Sequence, residues 1–545
     1  MVIYCLIAVI KGDLDIMRNY FKIVRMMFAS SKRLIVGAFV VMSVLIAVEM
    51  AIPLGINTMI DRLEHDKTVH TFIVSVFLFV IGYFLLSVLS GINTRLYIRI
   101  GNDLLWNMRV RIYRVLWGSD YMEHIQKSKD KFKYVLSTQT YTAFAIAVIY
   151  SVGGFVNALT VMAFLVITFW YSIPAGLTLV FGIAITLGTS FITGRGILGN
   201  YELCDKAHES DTAQVYETVD MVEAARTNGL EVYYLRKNKK IHDSFMKLSE
   251  KAEGKSTFFE TIESSLNNLI YILVAGMLLL TSNVSGGRLV TVLFITNTIL
   301  SVSGRVQRQL QVIIKNIPAF DNVAGLMDIS IDSGKEISDI DSIKFDNVTL
   351  DIDDRKIVSN VSFEIKKGDN VLIRGENGSG KSSLLKMILG LYKPTSGQIS
   401  INDTSVSEYD SRSFYKEMCY VSQDELILNE SVEDYLRYVT HTDCSDDEIG
   451  AMRGKLKLNS EIGIIEENGA ALSGGEKKKL FMMKCMMESN ASLVILDEID
   501  AGLDVETKAL LKNSEKELLS DPTKIVIKIS HIDSDETGFD QIINL

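Results

Sequence analysis

The chain has 545 residues, 48% of them hydrophobic and 22% charged, with a formal net charge of −10. A mean hydropathy of +0.22 and a pI near 5.4 exclude a disordered or fibrous chain and count against nucleic acid as a main partner. The charge is uneven: residues 1–340 carry +4 and residues 341–545 carry −14, so an apolar, mildly basic part precedes an acidic one. Cys5, Cys204, Cys419, Cys444 and Cys485 form no C-x-x-C pair, a spacing that offers no zinc site or disulfide framework and suits a reducing compartment.

In chain order, Met1–Ile10 is apolar but too short to span a membrane. Asp15–Ser30 reads as an amphipathic helix lying at a membrane interface, and Met17 is an alternative start. Residues 1–30 are thus expected to be an N-terminal extension, with too little chain before the first span for a processing domain. Six stretches then reach the ~20 apolar residues that a hydrocarbon core about 30 Å thick requires. They are Leu34–Ile56, Thr71–Ile92, Tyr141–Trp170, Ile173–Ile192, Phe258–Leu280 and Leu289–Ile314. The last two are less pure, carrying Asn267, Asn268, Asn297 and several serines.

Lysine and arginine orient these spans, because cytoplasmic loops retain them. Six precede the first span, nine lie between Arg95 and Lys133, and ten lie between Arg195 and Lys255. The other connections hold Arg62 with Lys67, none, and Arg288. Both termini and the two long connections are therefore expected in the cytoplasm, at the plasma or inner membrane. Arg95–Thr140 and Gly194–Ser256 are polar, lack proline and read as helices that leave the membrane and return. Residues 31–315 form the expected membrane domain and 316–342 a linker. Glu49 is the ionisable residue most suggestive of a cavity, since a charge inside an apolar span is costly unless it is paired or wetted; solvation near the outer interface is the other reading. Arg305 and Arg308 fall toward the cytoplasmic end of the last span.

From residue 343 to 545 strands and helices alternate. The buried strand Val371–Arg374 runs into Gly375-Glu-Asn-Gly-Ser-Gly-Lys-Ser382 and a helix over Ser383–Leu389, which is GxxxxGK[ST] in its strand–loop–helix setting. Gly375, Gly378 and Gly380 let the backbone turn its N–H groups inward, and the helix N-terminus adds positive charge. Lys381 can reach the β- and γ-phosphates and Ser382 can ligate Mg²⁺. Glu376, Asn377, Ser379 and Ser383 complete the expected nucleotide contacts. A second strand, Ser492–Leu496, ends in Asp497 and Glu498, where a Mg²⁺-linked acid and a water-polarising carboxylate would sit. Between them Leu472-Ser-Gly-Gly-Glu476 contains a capping box, Ser473 with Glu476, opening a helix over Lys477–Met487. Capping needs neither Gly474 nor Gly475; paired glycines there admit a phosphate or another backbone.

With these motifs the chain resembles an ABC transporter, specifically an exporter-type half-transporter. The resemblance runs from about Asp15 to Leu545. It implies an all-α membrane domain of six helices with long cytoplasmic helical extensions, followed by an α/β P-loop ATPase domain with a helical subdomain. By that resemblance Gly375–Ser382 is the Walker A loop, Gln423 the Q-loop residue linking Mg²⁺ and water to the membrane domain, and Leu472–Glu476 the signature. Glu467–Gly469 is the acidic stretch before it, Asp497 the Walker B aspartate, Glu498 the catalytic glutamate, Asp504 part of the D-loop and His531 the switch histidine. Three departures stand out. The aromatic that stacks on adenine is replaced by Ile352. The chain ends soon after His531, without the family's C-terminal helices. No peptidase domain precedes the first span.

The resemblance implies a dimer, with itself or a related half-transporter, in which ATP held by Lys381 and Asp497 of one copy meets Ser473–Gly475 of the other. Closure would drive alternating access, exporting a peptide, a lipid or an amphipathic drug-like molecule. An importer on the same fold and an ATP-gated sensor or channel are the rival readings.

Overall fold

A computed structural model describes residues 14–65, 69–119, 121, 129–280, 286–331, 334–352, 355–422, 425–440, 442, 444–459, 462–466, 469, 472–499, 502–530 and 536–545. The chain divides into two compact units, Met1–Trp117 with Ser128–Ser330 and Gly118–Lys127 with Ile331–Leu545.

The first unit is helical. Its elements are α1 (Leu14–Ser30), α2 (Lys32–His65), α3 (Val69–Gly118), α4 (Lys129–Tyr134), a π-helical turn (Val135–Gln139), α5 (Thr140–Tyr171), α6 (Ile173–Asp220), α7 (Val222–Thr227), α8 (Glu231–Leu280), α9 (Gly286–Lys315) and α10 (Ile317–Asp328). Among the described residues, five of these (α2, α3, α6, α8 and α9) hold stretches long and apolar enough to cross a membrane, while the apolar stretch of α5, Val156–Tyr171, is shorter. Helices α3 and α8 have 50 residues each. At 1.5 Å per residue each runs roughly 75 Å, more than twice the ~30 Å of hydrocarbon. Between α5 and α6 the chain reverses in one residue: Ser172 is extended, its side chain accepts from the Ala175 N–H, and proline opens the next helix, where its missing N–H costs nothing.

Apolar packing holds the membrane part. Phe164, Leu179, Ile270, Val274, Ile295 and Ile299 share one buried cluster, and a β-carbon on Gly182 would come within 2.8 Å of Ile270, so α6 and α8 approach where glycine permits it. Farther along α6 the ties are polar. Asp205 accepts from the Tyr134 hydroxyl at 3.1 Å, from the Gln139 amide at 3.1 Å and from Asn322 at 3.4 Å. The stretch expected to be linker begins with a helix, α10. Seven of its residues, Phe320 and Val323 among them, are buried, and it is tied to α1 by Asn19 on Asp321 at 3.0 Å and by Tyr20 edge-on to Phe320. Proline near its start marks a helix N-terminus as readily as a linker.

Among the described residues the second unit has two sheets. β1 (Ser342–Ile352), β2 (Arg355–Lys366), β4 (Ser396–Ile401) and β5 (Thr404–Ser405) form an antiparallel sheet ordered β2-β1-β4-β5. β3 (Asn370–Arg374), β6 (Met418–Val421), β7 (Leu493–Asp497), β8 (Ile525–Ser530) and β9 (Gln541–Asn544) form a parallel sheet ordered β6-β7-β8-β3-β9. Its central strands are buried on both faces, as parallel strands between helices must be. The helices are α11 (Lys381–Ile388), α12 (Ser411–Lys416), α13 (Val432–Val439), α14 (Asp446–Lys455), α15 (Gly474–Met487) and α16 (Val505–Leu519).

Candidate active site

The parallel register brings the motif ends to one edge. Arg374 pairs with Ser530, Ile529 with Asp497, and Leu496 with Val421. Hence the strand leading into Gly375, the strand ending in Asp497 and the strand before Ser422 all stop within about one residue of each other, at the C-terminal edge where α/β sheets bind ligands.

At that edge Gly380 caps α11 in a left-handed conformation with φ of 99°, and a β-carbon there would lie 2.7 Å from the Ile357 carbonyl. Lys381, 6% exposed, folds back to donate to the Gly375 carbonyl at 2.8 Å and the Glu376 carbonyl at 3.0 Å. A cavity of about 560 Å³ is lined by Arg374–Ser379, Asn544 and Leu545. The Ser379 hydroxyl is buried there without a hydrogen-bond partner. The Lys381 ammonium, the N-terminus of α11 and an orphaned hydroxyl are donors gathered at one loop, which fits a phosphate chain. Glu376, Asn377, Gly378 and Ser382 are exposed and Ser383 half-buried.

Asp497 closes β7. Burial first, and then the charge of Glu498, push its carboxyl up to about 6, opposed by Lys478 and Lys381. A buried carboxylate beside a second one is poised to take a divalent cation, which would balance both charges. Glu498 has φ of 50°, and its N–H donates to the Ile529 carbonyl at 3.1 Å. Its own carbonyl accepts from Lys478 at 3.2 Å. Sequence reasoning misses Lys478, which lies in a run of three lysines with no distinguishing spacing.

The capping box at Ser473 forms in full: its hydroxyl accepts from the Glu476 N–H at 3.3 Å, and the Glu476 carboxylate accepts from the Ser473 N–H at 2.9 Å. Ser473 and Gly474 remain exposed, and a β-carbon on Gly475 would lie 3.8 Å from the Asp504 carboxylate. Asp504 caps α16 by accepting from Thr507 at 2.9 Å. So the Ser473 loop and Asp504 are neighbours. Gln423 and His531 lie outside the described residues.

Ile352 ends β1, partly buried against the domain core. Tyr392 is 7% exposed, and the Lys386 ammonium sits over its ring at 5.1 Å. Base–aromatic stacking is worth roughly 1–3 kcal/mol in nucleic-acid complexes. Ile352→Tyr is therefore expected to lower KM for ATP several-fold, leave kcat nearly unchanged and sharpen the preference for ATP over GTP. Steady-state kinetics with both nucleotides check this; an unchanged KM for ATP refutes it.

In the first unit a separate cavity of about 890 Å³ lies between α8 and α9. Asn267, Asn268, Asn297, Glu263, Arg305 and Arg308 are among its lining residues. The impurities of the last two spans therefore line this cavity. Glu263, 4% exposed, accepts from Ser190 and from Gln311 at 3.3 Å. It is more deeply buried than Glu49, which is half-buried within electrostatic range of Arg305.

A family model described as ABC transporter matches residues 358–501. A probable ABC transporter ATP-binding/permease protein of Haemophilus influenzae is 30% identical over 223 residues, 39% of this chain and 40% of that protein. The mitochondrial iron-sulfur clusters transporter ATM1 of Candida glabrata is 32% identical over 198 residues, 35% of this chain and 27% of that one. An ATP-dependent lipid A-core flippase 2 of Colwellia psychrerythraea is 30% identical over 210 residues, 35% of each. The matched stretch thus spans two-fifths or less of these relatives. A solved structure of a bacterial Atm1-family ABC exporter with ATP bound aligns over 95% of this chain and 94% of that one, with a TM-score of 0.82 at 19% identity, a likeness of fold. With its phosphate loop and carboxylate pair, the stretch 358–501 belongs to the ABC transporter family, and the chain as a whole has the fold of an exporter-type half-transporter.

Proposed function

We propose that the protein is an ATP-hydrolysing exporter working as a dimer of two copies, or with a related half-transporter. The observation that carries this reading is the donor-lined loop around Lys381, set beside Asp497 and Glu498, on a chain whose other unit holds membrane-length helices. In it Gly375–Ser382 and Ser383 hold the ATP phosphates and Ile352 packs on the base. Ser382, Asp497 and Gln423 hold Mg²⁺, which supplies charge neutralisation to the phosphates. Glu498 accepts the proton of the attacking water, and His531 takes the role of the switch histidine. Ser473–Glu476 and Asp504 of the partner copy close over the nucleotide. Purified protein in inside-out vesicles tests it: ATP must drive solute inward there, whereas ATP-driven loss marks an importer and passive equilibration a gated channel.

The substrate class proposed is polar and peptide-like. Asn267 and Gln307 each present a buried polar atom without a hydrogen-bond partner, and Arg305 and Arg308 share the cavity with Glu260 and Glu263. A lipid chain would leave those groups unpaired, at a cost of about 1–3 kcal/mol each, whereas a zwitterionic peptide satisfies them. Glu49, near Arg305, is proposed to face the same path. Glu49→Gln is expected to alter the ratio of peptide-stimulated to basal ATPase at least twofold. Short zwitterionic peptides titrated into proteoliposomes give the measurement, and an unchanged ratio returns Glu49 to the outer interface.

A further inference from the structure

Glu498 has an unusual backbone for its residue type. Among the described residues six non-glycines have positive φ: Asn347, Asn360, Asn402, Asp403, Lys457 and Glu498. Four are Asn or Asp, whose short polar side chains tolerate the left-handed region. Lys457 follows the end of α14, a common place for such a conformation. Glu498 has neither excuse. It is a long carboxylate directly after a buried strand, and a side chain held in the left-handed region persists only where its surroundings over-determine it.

Those surroundings are visible on both sides of the residue. The N–H is fixed by the Ile529 carbonyl on β8 at 3.1 Å. The carbonyl is fixed by the ammonium of Lys478 at 3.2 Å. Lys478 is half-buried in α15, the helix that opens at Ser473, and that helix is anchored at several points. The capping box fixes its first turn, Gly475 lies against Thr507, and Lys484 pairs with buried Glu425 at 2.7 Å while donating to the Tyr420 carbonyl at 2.8 Å. A charged donor is a stronger clamp on a carbonyl than a neutral one. It is delivered here by the element that bears the Ser473–Gly475 loop.

We propose that Lys478 is a positioning residue for ATP hydrolysis: its ammonium, carried by the signature helix, clamps the Glu498 carbonyl and so holds the left-handed backbone that aims the Glu498 carboxylate. This rests on the reading of Glu498 as the hydrolytic group. It also gives the signature helix a direct hold on the Glu498 backbone of its own copy. A shift of α15 when its loop engages a nucleotide on the partner is transmitted to Glu498 through one side chain.

The test is steady-state ATPase kinetics of the full-length protein in nanodiscs for Lys478→Met and Lys478→Arg, with Glu498→Gln run beside them. Lys478→Met is expected to lower kcat about tenfold with KM for ATP within about twofold, the pattern of a misaimed catalytic group rather than a lost binding contact. Lys478→Arg keeps a charged donor within reach of the carbonyl and is expected to recover most of kcat. Binding of a fluorescent ATP analogue and the melting temperature are expected to stay near wild type in both. Three results overturn the proposal: wild-type kcat in Lys478→Met, an equal loss in the Met and Arg variants, or a loss accompanied by weaker nucleotide binding or a lowered melting temperature. If Glu498→Gln itself turns over at the wild-type rate, the reading of Glu498 has failed instead; if Glu498→Gln is inactive while Lys478→Met is normal, this proposal alone has failed.

Discussion

Glu498→Gln is expected to bind ATP with near wild-type affinity and to hydrolyse it roughly 10²–10⁴-fold more slowly, the range that loss of a general base removes. The substitution is nearly isosteric and takes away only the ability to accept a proton from water. Two hydrogen bonds that fix this residue, to Ile529 and from Lys478, are made by its backbone and are kept in the variant. Nucleotide that binds and is not consumed should hold two copies closed. A closed dimer retaining two nucleotides is the expected state, read by the amount of nucleotide that stays with the protein through gel filtration. Wild-type turnover in the purified variant removes Glu498 from the chemistry.

Lys381→Ala should fail one step earlier. The ammonium holds the Gly375 and Glu376 carbonyls and is the buried cation of the phosphate loop. Hydrogen bonds to charged groups contribute about 1.5–3 kcal/mol, so losing it should weaken ATP binding roughly ten- to hundredfold, with hydrolysis falling in step. Isothermal titration with Mg²⁺ and ATP separates the two variants: the affinity is kept in Glu498→Gln and lost in Lys381→Ala. Equal affinities in both would mean that the loop does not bind phosphate through this lysine.

The membrane helices and the phosphate loop are legible in the sequence because their physics is local. A span needs only a run of apolar residues, and a phosphate loop only glycines and a lysine between a strand and a helix. The Ser473–Glu476 box is legible for the same reason and forms as the spacing requires. What the chain hides is pairwise. Lys478 is one of three consecutive lysines, and only the fold puts it on the Glu498 carbonyl. Lys484 is likewise ordinary until Glu425 meets it in a buried pair. Hydropathy singles out Glu49 and passes over Glu263, because it weighs a carboxylate by its neighbours in sequence, whereas Ser190 and Gln311 come from other helices. Helix α10 reads as linker for want of length, although its partner α1 lies some 300 residues earlier.

The strand order of the ATPase sheet also bears on how the protein is made. β3, which leads into the phosphate loop, pairs with β8 and β9, and Arg374 reaches Asn544 across 170 residues of sequence. A ribosome adding about 5–20 residues per second would take roughly 10 to 30 s to supply the partners after that strand has appeared. Throughout that interval a hydrophobic strand destined for the middle of a sheet has both flanks open, the state in which unpaired strand edges aggregate. The membrane helices are by then already complete, so the nascent ATPase domain waits while tethered to the bilayer. Chaperone dependence should therefore fall on the second half of synthesis, and substitutions that weaken β8 or β9 should lower yield before they lower the activity of whatever molecules mature.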